Sequence, residues 1–97
     1  MNDAEDYADS MQRQFERYWK RVDNNEVIEE EDKLNPLEIT QETGMSFDIL
    51  FTTGGPGAYV TSQAGDHAVL IVVWGSKVAK KQSEEITRVA KYFWEKK

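Results

Sequence analysis

The chain has no cysteine, one histidine (His67) and two prolines (Pro36 and Pro56). Without cysteine, neither a disulfide framework nor a thiolate metal site can hold the fold, and a reducing compartment is compatible. With a single histidine, any metal site has to be built from carboxylates, which favour hard cations. The acidic run EVIEEED (26–32) lacks the alternating Asp/Asn spacing and central glycine of a calcium loop. Long apolar runs are missing too. The longest, Ala68 to Trp74, is far too short to cross a bilayer. The acidic opening MNDAEDYADS has no apolar stretch behind a basic start and does not read as a secretory signal. A soluble, cytoplasmic protein without metal or cofactor is the expectation. Its 97 residues suit one domain, 1–97, because a chain of this size builds one core and buries roughly 60 to 65% of its unfolded surface.

Carboxylates are plentiful and unevenly spread. Residues 1–50 carry 14 acids and 5 bases, a charge of −9, whereas residues 51–97 carry 4 acids and 7 bases, a charge of +3. DNNEVIEEED (23–32) alone holds six carboxylates and no base. Nucleic-acid binding needs Lys or Arg to displace the counterions of a phosphate backbone, so direct contact with DNA or RNA is not expected. The same carboxylates can imitate a row of phosphates to a protein partner. Glu26, Glu29, Glu30, Glu31 and Asp32 are therefore candidate partner-binding residues, within an acidic connection over 24–35 that reads as a mobile linker or a solvated face.

Apolar spacing sets the elements. Tyr7, Met11, Phe15, Tyr18 and Val22 recur at helical intervals, flanked by Ala4, Ala8 and Trp19. With acids early and bases late, they predict a helix from about Asp3 to Asp23, capped by Asn2 or Asp3. Asn35-Pro36 ends the region that follows. Four strands are then expected: Leu37 to Glu42, Ser46 to Thr53, Ala58 to Gln63 and His67 to Trp74. Gly44, GGPG and AGD separate them at the short gaps that antiparallel hairpins use. The fourth strand is apolar throughout, which predicts cover on both faces and leaves Trp74 at its end as an anchor available to a partner. After the bases Lys77, Lys80 and Lys81, Ser83 caps a helix whose stripe is Ile86, Val89, Ala90 and Phe93. The fold class is α+β: an N-terminal helix, a four-stranded antiparallel meander and a C-terminal helix, both helices packing on the sheet.

Thr53, Gly54, Gly55, Pro56 and Gly57 form the most unusual stretch, TGGPG. A phosphate-cradling loop follows a strand and opens a helix, commonly with GK[ST]; this one opens a strand and has no such lysine. Its glycines read as a stiff hairpin connection. Their bare backbone amides also make the loop a candidate recognition element for a partner's carboxylate or carbonyl.

The ILFTTGGP segment (49–56), the hairpin into an apolar strand ending in Trp74 and the aromatic-rich terminal helix together resemble a group of small uncharacterised bacteriophage and mobile-element proteins. The resemblance spans roughly residues 37–97. It implies a phage or mobile-element accessory protein in the bacterial host cell. The acidic and apolar surface adds the expectation of a non-catalytic protein that acts through protein–protein contact, in one form as an acidic inhibitor of a host nucleic-acid-binding protein. A homodimer is the other contact the strand pattern allows. The alternative is a small-ligand or enzymatic domain centred on the GGPG loop and His67, with Ser62 or Thr53 as nucleophile. Asp66 and His67 are adjacent in an expected strand and so point to opposite faces, a poor arrangement for a triad. No catalytic, cofactor-binding or metal residues are assigned.

Overall fold

A computed structural model describes residues 3–41, 46–54 and 56–96. Asn2, the Glu42 end of the first expected strand, the Gly44 turn and Gly55 lie outside the described residues. The elements are α1 (Asp3–Asp23), a short 3₁₀ turn (Glu30–Asp32), β1 (Glu38–Gln41), β2 (Ser46–Thr52), β3 (Gly57–Gln63), β4 (Asp66–Trp74), β5 (Lys77–Lys81) and α2 (Glu84–Lys96). The strands form one antiparallel meander in the order β1-β2-β3-β4-β5.

The α+β class and the meander hold, with five strands rather than four. The extra strand is KVAKK (77–81), which reads in the sequence as a basic lead into the last helix. Gly75, at φ 62°, turns the chain so that Val73 pairs with Val78 and Ala79 with Val72. The strand is short and rich in lysine because it is an edge, where charge discourages pairing with another chain. β4 is thereby moved inward, to the position next to the edge.

Both helices lie on the same face of the sheet. Alternation along the strands sends Phe47, Ile49, Ala58, Val60, Leu70, Val72 and Ala79 to that face, where all are buried. α2 meets them with its expected stripe of Ile86, Val89, Ala90 and Phe93. α1 is rotated relative to its expected stripe: Ala4, Ala8, Met11, Phe15 and Trp19 are buried, while Tyr7, Tyr18 and Val22 pack only partly against the core. The alanines take the centre because short side chains let the helix lie close to β4 and β5. Gln12 joins the helices. Its amide donates to Glu85 Oε1 at 3.0 Å and accepts from Ser83 Oγ at 2.7 Å. Ser83 Oγ in turn accepts the Ile86 amide at 3.1 Å, the cap expected for α2.

The opposite sheet face has no helix over it, so the expected double cover of β4 is absent; Val69, Ile71 and Val73 look outward. Both helices are used on one side because the connections bring α1 and α2 together along the Gln12 seam.

Ala64 and Gly65 form the β3–β4 turn with φ values of 51° and 84°, between the paired residues Gln63 and Asp66. Positive φ at both central positions is the type I′ requirement, which asparagine meets more readily than alanine. Ala64→Asn is expected to stabilise the domain by about 0.5 to 1 kcal/mol, read as a higher urea midpoint with an unchanged slope.

Candidate functional site

The register places three sequence features at one end of the sheet. β1 begins opposite the end of β2, with Glu38 against Leu50, so the acidic connection arrives there. The TGGPG loop joins β2 to β3 at the same end, and Gly57 faces Val73 one residue before Trp74. Trp74 lies on the helical side, 38% exposed, and meets Tyr7 edge to face at 6.0 Å.

Between α1 and this end runs an open groove of about 670 Å³. Phe15 and Phe51, whose rings are 5.6 Å apart, line it together with Met11, Tyr7 and Tyr18. The pairing of β2 with β3 shifts between Leu50 and Thr52, leaving Phe51 in a bulge, the kind of irregularity that re-aims a side chain. Glu31 and Asp32 also line the groove, as do the cations Arg17, Arg21 and Lys33. Burial, followed by the neighbouring Tyr92, holds the Tyr18 phenol above its ordinary pKa, so it remains a neutral hydroxyl.

Arg21, from the last turn of α1, gathers the acidic connection. Its guanidinium lies 3.3 Å from Asp32 and 3.6 Å from Glu26 and donates to the Val27 carbonyl at 3.4 Å. Lys33 pairs with Glu30 at 3.2 Å. Glu29 and Glu31 have no cationic partner among the described residues, and both are exposed. Three of the five candidate acids are thus tied down locally, and two present free carboxylates. Further along α1, Arg88 donates to both oxygens of Asp23 at 2.6 and 3.0 Å, which holds that carboxyl below its usual pKa; the guanidinium also stacks over Trp19 at 4.4 Å.

Among known protein families, curated proteins and solved structures, none matches this chain.

The TGGPG loop is closed by Thr52 Oγ1 donating to the Pro56 carbonyl at 3.2 Å. Gly54, at φ 91°, and Thr53 are exposed; Pro56 and Gly57 are partly buried. The loop opens β3 and no helix. Thr53 and His67 stand at opposite ends of β3, whose seven residues span about 20 Å. His67 is exposed in a bulge at φ 54°, and Asp66 pairs with Lys91 at 3.5 Å. Ser62 is buried and donates to the Phe47 carbonyl at 3.4 Å. Thr53 is thus far from His67, and the Ser62 hydroxyl is engaged by the Phe47 carbonyl. Among the described residues, no three metal-ligating side chains converge, and no helix is long and apolar enough to cross a membrane.

The sequence singles out the acids, Trp74 and the loop one by one as candidates. Sequence reasoning missed Arg21 as their anchor, and it assigned Tyr7, Phe15 and Tyr18 to core stripe alone. The bases late in α1 are a signal for Arg21, but the Phe51 bulge leaves no comparable sign.

Proposed function

We propose that the protein is a non-catalytic binding module that takes a basic segment of a protein partner at this end of the sheet. The observation carrying this reading is the free carboxylate of Glu31 on the wall of an aromatic-lined groove, one of whose rings, Tyr7, touches Trp74. Carboxylates supply attraction for Lys or Arg, and aromatic faces accept their cationic heads and aliphatic stems. A surface that normally holds phosphates has this chemistry. A nucleic-acid-binding protein of the host is therefore the partner class, in the accessory role implied by the resemblance to phage and mobile-element proteins. Thr53 and Gly54, exposed in the loop at the same end, contribute backbone groups to the contact.

Affinity capture from a bacterial lysate, run in parallel with wild type, Trp74→Ala and the charge reversal Glu29/Glu30/Glu31→Lys, tests this. Wild type is expected to retain basic nucleic-acid-binding proteins. Charge reversal should weaken retention by at least about tenfold, with the wild-type interaction falling as salt rises. Equal capture by folded variants and wild type would remove the assignment.

A further inference from the structure

The uncovered sheet face carries a charge pattern of its own. Cross-strand pairing lines up Glu38, Leu50, Tyr59, Ile71 and Lys80 in one row across all five strands. Residues directly opposite in antiparallel pairs share a face, and this face is the one away from both helices. The row is acidic at the β1 edge, apolar across β2, β3 and β4, and basic at the β5 edge. Val73 and Val78, 37% and 54% exposed, extend the apolar part toward the β4–β5 turn. Neither Glu38 nor Lys80 has an ion-pair partner among the described residues.

We infer that this face docks on a second copy of the chain, giving a two-fold dimer of stacked sheets. Sheets that pack face to face keep their strands within about 30° of one another, with inner side chains interdigitating. Two aligned two-fold arrangements are available. An axis parallel to the row would set Glu38 against Glu38 and Lys80 against Lys80. An axis parallel to the strands reverses the row: Glu38 meets Lys80 of the other copy twice, Leu50 lies over Ile71, and Tyr59 meets its own equivalent. Only the second arrangement pairs opposite charges, Glu38 with Lys80, while Asp48, in the neighbouring row with Thr40, Thr61 and Val69, lies over Val69 of the other copy; a closed two-fold contact requires such self-complementarity. It also sets Leu50 of one copy over the shallow depression that Val69, Ile71 and Lys80 help to line on the other. Sideways addition at the β5 edge is discouraged by Lys77, Lys80 and Lys81, so the face rather than that edge is the route to association. This surface is separate from the groove on the helical side, and its occupancy does not depend on a partner being bound there.

Sedimentation equilibrium across a wide range of protein concentration, on wild type, Glu38→Lys, Lys80→Glu and the double exchange, reads the proposal directly. Wild type is expected to dimerise. Each single charge reversal should weaken the dimer by about tenfold or more, and the double exchange should restore affinity to within about threefold of wild type. Ile71→Glu, a substitution at a partly exposed site, should yield a folded monomer by circular dichroism. A wild type that stays monomeric throughout overturns the inference. A dimer insensitive to the single reversals, or one that the double exchange does not rescue, overturns it equally.

Discussion

Phe47→Ala is expected to destabilise the domain by about 3 to 5 kcal/mol, the range for removing a buried aromatic ring. Phe47 is 1% exposed, and its ring packs edge to face on Trp94 at 5.3 Å, so β2 and α2 meet at this contact. The residues around it belong to strands fixed on both sides, which limits how far the cavity can collapse. Small domains have total stabilities of about 5 to 15 kcal/mol, so this variant should lose a large share of the margin. Urea denaturation followed by circular dichroism measures it, and Leu37→Ala, at a position 61% exposed, serves as a control expected to fall within about 0.5 kcal/mol of wild type. A Phe47→Ala midpoint as close to wild type as the control's would place the β2–α2 contact outside the core.

Gly65→Val carries the second large effect. Gly65 holds φ 84°, and a Cβ built there would sit 3.1 Å from Trp94 Cβ and 3.3 Å from the Lys91 Cα. Valine must therefore adopt left-handed backbone angles and also push the β3–β4 turn away from α2. Strain of about 1 to 3 kcal/mol and overpacking of a similar size give a combined loss of about 2 to 6 kcal/mol. Gly54→Val separates the two causes. Gly54 has φ 91° with nothing within 4 Å of the built Cβ, so it should lose only the strain, about 1 to 3 kcal/mol. Equal losses at the two positions would show that the contact between the turn and α2 contributes nothing.

These two glycines also mark what the sequence could convey. TGGPG is the conspicuous cluster, yet among the described residues the glycine pressed against another element is Gly65, inside an ordinary AGD turn. Turn chemistry is local and legible; the approach of a helix to that turn is not. The helices were readable because periodicity and end charges agree, and Ser83 caps α2 as its sequence context indicates. The rotation of α1 was hidden because hydrophobicity favours Tyr7 and Tyr18 as stripe members, whereas close packing on the sheet favours Ala4 and Ala8. β5 was hidden because the lysines that protect an edge strand look like a linker. At the candidate site, the acids and Trp74 stand 42 or more positions apart in the chain. That they lie toward the same end of the sheet depends on strand order and register.

The meander also fixes the order in which stabilising contacts can form during synthesis. Each sheet pairing joins strands adjacent in the chain, so hairpins can close soon after they emerge, with little loop entropy to overcome. α1 is the exception: it emerges first but packs on β4, β5 and α2, and Gln12 reaches Ser83 across 71 positions. Its apolar stripe therefore waits for almost all of the chain described here before it can be buried. Through that interval the stripe has no partner, and the charged residues that flank it on α1 are the feature that opposes association.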